Sequence, residues 1–206
     1  MLQSSGWVLL LAQLPASPSS PRVTLWRRAR AAGAAGLQNG AWVLPRTDAH
    51  VQLFDQLAEA VRKQDGSAFV LTAAPAAEDA VGTDEQIVAR FRADRAREYD
   101  EFAERCSELL GEIDKETQRT KFTFAELEEI EQDLDKLVGW LDKITARDFF
   151  PDEHVTAATE RLQRCRQALE GFARAVYDAE GLSAPTGDSG QVGRSGDAGD
   201  SGRARS

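Results

Sequence analysis

The chain has 206 residues, of which 42% are hydrophobic and 29% are charged, a composition ordinary for a folded protein with room for one or two domains. Its net charge of -9 is uneven: residues 1–74 hold 7 Lys and Arg against 4 Asp and Glu, whereas residues 75–180 hold 15 against 27. Phosphate would be repelled by the acidic body, so a nucleic acid is expected to bind only the basic N-terminal part.

The N-terminal segment predicts a buried strand rather than a secretion signal. Residues 7–13 form an apolar run bounded by Ser-Gly and by a loop rich in Pro and Ser, which is the pattern of a central strand. The segment has no basic region, and its apolar run is too short for a signal peptide. No run approaches the roughly 20 apolar residues that cross a bilayer. We therefore expect a cytoplasmic protein without membrane segments.

An arginine-dense helix is predicted next, over about residues 22–32. Ser19 or Ser20 is expected to cap this helix, with Pro21 in its first turn. At about 100° per residue, one side of the helix is apolar and is expected to lie on a sheet. The residues on that side are Leu25, Trp26, Ala29 and Gly33.

A hairpin, a second helix and a last strand complete the first unit. Asn39-Gly40 is a strong hairpin signal for a turn with positive φ at both central positions. Asp48 is expected to cap a helix over about residues 49–64. The remaining strands are expected at residues 34–37, 41–44 and 67–73. The resulting order, β-α-β-β-α-β, predicts a ferredoxin-like α+β domain.

The second half is predicted to be helical. Apolar residues recur at alternating spacings of three and four over about 84–119, 127–144 and 155–176. With short connections, this pattern indicates an antiparallel three-helix bundle or coiled coil. The expected divisions are the ferredoxin-like domain at 1–74, a linker at 75–83, the three-helix bundle at 84–180 and a disordered tail at 181–206.

The sequence contains no recognisable motif of an enzyme or a metal site. Cys106 and Cys165 lie inside helical patterns, which favours two reduced core cysteines over a disulfide between helices. His50 and His154 are separate from any cluster of metal ligands, and both are expected to face solvent. No phosphate-binding loop, dinucleotide fingerprint or nucleophile elbow is present. We expect no catalytic residues, no cofactor and no metal.

Two separated blocks resemble the N-terminal domain of the ChrB family of bacterial chromate-resistance proteins. The first block has an apolar strand ending in Leu-Pro, then Arg-x-x-x-Trp-Arg, a Gly-Ala pair and Gly-x-Trp-x-Leu-Pro. The second block, ITARDFFP at 144–151, is similar to an Ile-x-x-x-Asp-Phe-Phe-Pro corner of that family. The resemblance covers about residues 6–178. The matching residues of the first block are Trp7, Leu14, Pro15, Arg22, Trp26, Arg27, Gly33, Ala34, Gly40, Trp42, Leu44 and Pro45.

The resemblance implies a cytoplasmic protein of chromate-resistance operons that regulates transcription in response to chromate. The first domain is also similar to the central domain of PaaX-type repressors and to small ferredoxin-fold CRISPR-associated nucleases. Such nucleases would place a metal-binding acid after the first strand, where this chain has Ala12-Gln13-Leu14-Pro15. Since Mg²⁺ requires carboxylates, we expect no nuclease activity. The C-terminal domain of full-length ChrB proteins is expected to be absent.

The arginines around the first helix are the candidate binding site. Arginine can bind a tetrahedral dianion such as chromate through a bidentate fork, or contact DNA phosphates. The helix N-terminus can also bind an oxyanion through backbone N–H groups. A solvated helix face, with Arg22 paired to an acidic helix, is the plainer alternative. Arg27 and Arg30 fall on one flank of the helix and Arg28 on another. The candidate residues are Arg22, Arg27, Arg28, Arg30 and Arg46.

The four tryptophans admit two interpretations. Core packing is expected for the three in the first domain, and stacking on nucleic-acid bases is the alternative. Trp140 lies beside the apolar seam of a predicted bundle helix, where it could contribute to an interface. The three tryptophans of the first domain are Trp7, Trp26 and Trp42.

The sequence leaves two functions open. The first is a chromate-responsive transcriptional regulator, or an accessory to one, that contacts DNA phosphates or an oxyanion through the arginine-rich helix. The second is an interaction module that does not bind DNA, in which the acidic helical half forms a homodimer or docks a partner. The acidic body and the lack of a helix-turn-helix pattern favour the second function.

Overall fold

The computed structural model describes residues 6–75 and 80–182, and its elements follow the predicted order. The α+β class with a helical second half is confirmed. The predicted tail beyond residue 182 lies outside the described residues. In chain order the elements are β1 (Trp7–Gln13), α1 (Ser20–Ala31), β2 (Ala35–Gln38), β3 (Ala41–Pro45), α2 (Asp48–Arg62), β4 (Ser67–Ala73), α3 (Ala80–Gln118), α4 (Phe124–Thr145) and α5 (Glu153–Ala179).

Strands β1 to β4 form one antiparallel sheet in the order β2-β3-β1-β4. This is the ferredoxin-like arrangement that the sequence predicts. β1 is central, with β3 on one side and β4 on the other, which explains why its sequence is almost continuously apolar. Side chains alternate between the two faces of a strand. Val8 and Leu10 lie fully buried on the face covered by α1 and α2.

The first part of α3 covers part of the opposite face of the sheet, where Phe69 and Leu71 of β4 stay exposed. Trp7 of β1 stacks on Phe91 of α3, with ring centroids 5.9 Å apart. Phe91 therefore belongs to the core of the α+β unit, although it lies in the predicted helical half. The helix begins at Ala80, so residues 80–83 of the predicted linker form its first turn. The proposed domain limits stay predictions.

Four aromatic rings, which we call the junction cluster, join the helical half to the sheet. They are Trp7, Phe91, Phe149 and Phe150, with centroid distances between 5.3 and 6.0 Å for the contacting pairs. Phe149 and Phe150 come from the corner between α4 and α5. The corner therefore contacts the α+β unit and does more than end a helix. Trp7 Nε1 also donates to Asp84 Oδ1 at 2.6 Å.

Gly33 brings the two family-like sequence blocks together. Its φ is +80°, and a Cβ at this position would lie 2.8 Å from Arg147 Cβ and 2.9 Å from the Arg147 carbonyl oxygen. Only glycine adopts this backbone conformation readily and leaves room for such an approach. The turn that follows α1 is thus in direct contact with the corner that follows α4.

The bundle of α3, α4 and α5 has its own apolar core. Buried heptad positions of all three helices form one cluster inside the single chain, including Phe102, Ile130 and Leu162. Cys106 and Cys165 are free and buried, as the sequence predicts. A hydrogen bond with the Cys165 thiol, together with burial, raises the pKa of the Cys106 thiol. The heptad pattern is therefore satisfied within the monomer.

Local details of capping and turn geometry differ from the sequence-based expectation. Ser19 precedes α1 but makes no side-chain capping bond. Thr47, rather than Asp48, caps α2: its extended backbone lets Oγ1 accept from His50 N at 3.1 Å. Of the two hairpin residues, only Gly40 has positive φ. An irregularity in the β2–β3 register between Gly36 and Gln38 supplies an extra residue, which lets a different turn close the hairpin.

We predict that Phe91→Ala lowers the free energy of unfolding by about 3–5 kcal/mol, because it removes a buried ring from the junction cluster and leaves a cavity. Urea denaturation, followed by tryptophan fluorescence and by helical circular dichroism, measures this loss. Phe69→Ala is the matched control, since Phe69 is 62% exposed on the sheet and its loss should cost less than about 1 kcal/mol. Equal losses in the two variants would contradict the prediction.

Candidate functional site

Arg22 is committed to the loop that precedes α1. Its guanidinium donates to the carbonyl oxygens of Pro15 at 3.3 Å and of Ala16 at 2.6 Å. The expectation that Arg22 pairs with an acidic helix is wrong, because these carbonyls lie within reach at the start of its own helix. Arg22 therefore ties the loop after β1 to the start of α1, using two of the five N–H donors of its guanidinium.

Arg30 forms the ion pair with the acidic helix instead. Its Nη1 lies 2.5 Å from Asp94 Oδ2 of α3, and the two side chains are only 28% and 18% exposed. Arg97 approaches the other oxygen of Asp94 at 3.8 Å. Because Arg30 lies at the end of α1 that contacts the helical half, its charge is balanced locally and ties α1 to α3.

A second ion-pair group lies beside this contact. Glu98 Oε2 accepts from Arg95 Nη1 at 3.1 Å and from Arg147 Nη2 at 2.7 Å. Arg95 is 3% exposed, and burial lowers the pKa of its guanidinium against the opposing effect of Glu98. The buried charge is that of Arg95, and the partly exposed Glu98 accepts from both arginines, so the arginines at this end of α1 are engaged in contacts within the protein.

Arg27 and Arg28 are the exposed arginines of α1 without a side-chain partner among the described residues, whereas Arg22 is exposed but donates to two carbonyl oxygens. Neither Arg27 nor Arg28 makes an ion pair or a side-chain hydrogen bond to any residue that the structure describes. Arg46 is also exposed, but its backbone N–H donates to Gly6 O at the start of β1. Arg22 lies past the other end of β1, about 20 Å away along the strand. The candidate arginines therefore do not converge: Arg22 and Arg46 lie at opposite ends of β1, and Arg27 and Arg28 are adjacent in α1 but diverge by about 100° around the helix.

A cleft of about 770 Å³ separates α1 from the β2–β3 hairpin. Its floor includes Gly36 of β2, which pairs with Trp42 of β3. Gly40 closes one end, where its carbonyl oxygen accepts from Ala12 N at 2.7 Å. The lining residues are Ala12, Gln13, Leu14, Arg22, Val23, Leu25, Trp26, Gly36, Gln38, Asn39, Gly40 and Trp42.

Trp26 is 53% exposed at this cleft, so the expectation that it packs in the core is wrong. Leu25 and Ala29 make the contact of α1 with the sheet, while Trp26 lies about 100° further around the helix. On that side the nearest strand carries Gly36, which has no side chain to cover an indole. Trp7 is buried as expected, whereas Trp42 is only half-buried.

Contrary to the prediction from the sequence, neither histidine is fully exposed to solvent. His50 is half-buried, with Nδ1 2.6 Å from Pro45 O and its ring 5.1 Å from that of Phe149. His154 Nδ1 lies 2.8 Å from Asp152 Oδ1, which raises the pKa of His154. Within residues 6–75 and 80–182, no group of three or more His, Cys, Asp and Glu side chains could hold a metal ion.

No helix in the described part of the chain is both long and apolar enough to cross a membrane.

Two comparisons with known proteins point to one family. The family described as "Protein ChrB, N-terminal" matches residues 22–183. A curated relative, Protein ChrB of Cupriavidus metallidurans, is 28% identical over 151 residues, which cover 72% of this chain and 42% of the relative. The chain thus spans less than half the length of that relative. The matched region includes α1 from Arg22 onward, the cleft residues from Arg22 onward and the junction cluster apart from Trp7.

We predict that Arg30→Ala lowers the free energy of unfolding by about 1–3 kcal/mol, because it leaves the poorly exposed Asp94 without its closest cation. Arg27→Ala and Arg28→Ala should each change it by less than about 0.5 kcal/mol, as is usual for exposed side chains without partners. Urea denaturation of the three single variants makes the comparison. A loss at Arg27 or Arg28 as large as that at Arg30 would show that these arginines are structural too.

Proposed function

The chain belongs to the ChrB N-terminal family, and from this premise we propose that it is a chromate-resistance protein whose α1 contacts DNA phosphates. It acts in the cytoplasm as a chromate-responsive transcriptional regulator or as an accessory to one. The single observation that carries the proposal is the pair Arg27 and Arg28. Both guanidinium groups are exposed and have no partner among the described residues, as a phosphate-binding surface requires.

The composition of α1 supports a role in phosphate contact. The helix contains four arginines and no acidic residue, in a protein whose net charge is -9. Arg30 is neutralised by Asp94, and Arg22 keeps its charge but donates to two carbonyl oxygens, so the arginines with no side-chain partner among the described residues are Arg27 and Arg28. An exposed, uncompensated pair in an otherwise acidic protein orients the molecule toward a polyanion, because the remaining surface repels it.

The geometry of the pair favours a DNA backbone over a single tetrahedral anion. Adjacent helical residues diverge by about 100°, so Arg27 and Arg28 extend toward different sides of α1. Arg28 borders the groove between α1 and α2, whereas Arg27 follows the exposed flank. Two diverging cations suit successive phosphates along a strand. One bound chromate would need its donors to converge.

The alternative function is an interaction module that works through the acidic helical half. Its supporting observation is the outer surface of the bundle, where the run from Glu126 to Asp135 is largely exposed and acidic. The apolar heptad positions are occupied inside the monomer. A homodimer through this half would therefore have to use the charged outer faces, which repel each other at low salt.

We predict that the double variant Arg27→Glu/Arg28→Glu weakens binding to a duplex from the region upstream of the gene by at least about tenfold at low salt. Since two phosphate contacts are lost, the slope of log affinity against log salt should fall by about 2. Fluorescence anisotropy of labelled duplex measures both quantities. Arg164→Glu/Arg166→Glu on α5 is the matched control, because both arginines are exposed and make the same change in charge.

This experiment separates a local contact from an effect of net charge. The proposal predicts that the α5 control binds within about threefold of the unchanged protein. Equal weakening in both double variants, or no duplex binding at about 50 mM salt, would contradict it.

We predict that chromate changes the affinity of the protein for the same duplex, whereas sulfate at equal concentration does not. Both are tetrahedral dianions, so sulfate controls for ionic strength and for simple competition with phosphate. Anisotropy titrations at constant ionic strength, with each anion in turn, make the measurement. The same shift with both anions would rule out a specific response to chromate.

A further inference from the structure

We propose that the cleft between α1 and the β2–β3 hairpin binds an unpaired nucleobase, either in single-stranded nucleic acid or in a free nucleotide. The site lies beside Arg27 of the proposed phosphate-contacting pair, but the inference is argued from the cleft itself and does not depend on duplex binding. The inference rests on the shape of the cleft, the chemistry of its lining and the exposure of Trp26.

The cleft is open because one strand position lacks a side chain. Gly36 pairs with Trp42, so a side chain at position 36 would point toward α1. The backbone at Gly36 does not have positive φ, and an added Cβ would meet only Trp42 Cζ3 at 3.8 Å. No backbone constraint therefore requires glycine here. The missing side chain leaves space beside two tryptophans, which a larger residue would fill.

The lining combines flat apolar surfaces with neutral polar groups. Trp26 and Trp42 line the space together with Asn39, a residue of the hairpin turn with a carboxamide side chain. Gln13 and Gln38 also line it, but at strand positions whose side chains alternate toward the opposite face of the sheet. Aromatic side chains stack on bases of any sequence. Carboxamides both donate and accept hydrogen bonds, which matches the mixed edge of a base such as adenine. A nucleobase offers both features in one planar ring.

The same lining disfavours other ligand classes. Among the described residues, Arg22 is the charged residue that lines the cleft, and its guanidinium keeps its positive charge while donating to two backbone carbonyls. An inorganic dianion could contact Arg22 but would leave the two tryptophans of the lining uncovered. A purely aliphatic ligand would cover the Asn39 side chain without satisfying its hydrogen bonds, which is costly. The volume of about 770 Å³ lies within the range of small-molecule sites and admits a nucleoside.

Arg27 is placed to hold the phosphate attached to such a base. It follows Val23, a lining residue, by one turn on the same side of α1, and residues at this spacing are neighbours on a helix surface. A base stacked in the cleft would therefore have its sugar and phosphate at the exposed edge of α1. This arrangement resembles the general pattern of single-strand binding, in which aromatic stacking and a cationic edge act together.

The test measures anisotropy of three labelled single-stranded oligonucleotides of equal length: adenine-bearing, thymine-bearing and abasic. The unchanged protein is expected to bind both base-bearing strands about 5- to 100-fold more tightly than the abasic strand. Trp26→Ala should remove most of that difference and leave binding to the abasic strand unchanged. Phe69→Ala is the matched control, as an aromatic of similar exposure elsewhere on the α+β unit, and should retain the difference.

A second set of variants fills the cleft without substituting an aromatic residue or an arginine. Gly36→Ala and Gly36→Val should weaken binding of base-bearing strands in that order, since each adds volume where the structure has room. Valine also suits a strand, and thermal unfolding by circular dichroism confirms that both variants fold. Duplex binding, measured in parallel, should be unchanged in these variants. A failure of α1 to contact duplex phosphates is thereby distinguished from a failure of the cleft to bind a base.

Competition with adenosine monophosphate identifies the source of the base. Displacement of the labelled strand at micromolar concentration assigns the cleft to a free nucleotide, and the absence of displacement there assigns it to a strand. The proposal is overturned if the abasic strand binds as tightly as the base-bearing strands. It is also overturned if folded Gly36→Val binds base-bearing strands as tightly as the unchanged protein does.

Discussion

The junction cluster is the constraint on which the rest of the structure depends. Trp7, Phe91, Phe149 and Phe150 bring together the central strand, the longest helix and the corner between the last two helices. Gly33 adds a backbone contact between the end of α1 and the same corner. The two family-like blocks are therefore adjacent in space because they form opposite sides of one contact, which buries aromatic surface that neither half could cover alone.

The position of this contact determines which arginines of the first helix have partners within the protein. At the end of α1 nearest the junction, acidic groups of α3 lie within ion-pair distance, and Arg30 pairs with Asp94. At the other end, the loop after β1 offers carbonyl oxygens to Arg22. In the middle of the helix, neither an acidic group nor a carbonyl oxygen among the described residues pairs with an arginine side chain, so Arg27 and Arg28 have no partner there. The candidate site is thus the part of α1 whose arginines contact neither α3 nor the loop after β1.

Periodicity and turn chemistry predict the elements and their order well, because β1, the heptad helices and Asn39-Gly40 carry strong local signals. The exposure of Trp26 could not be predicted, since it depends on how the β2–β3 hairpin lies against α1. The partner of Arg30 likewise depends on a tertiary contact with α3, whereas the partners of Arg22 depend on the path of the loop before α1. The sequence supports the family firmly. The structure adds which arginines already have partners within the protein.

We propose α1 and its cleft as the surface that contacts nucleic acid. Amide chemical-shift mapping of the ¹⁵N-labelled chain, titrated with duplex and then with single-stranded oligonucleotide, is the decisive measurement. We expect shifts around Arg27 and Arg28 with duplex, additional shifts around Trp26 and Gly36 with the single strand, and unchanged resonances along α4 and α5. Shifts confined to the helical bundle, or absent with both ligands, would contradict this proposal.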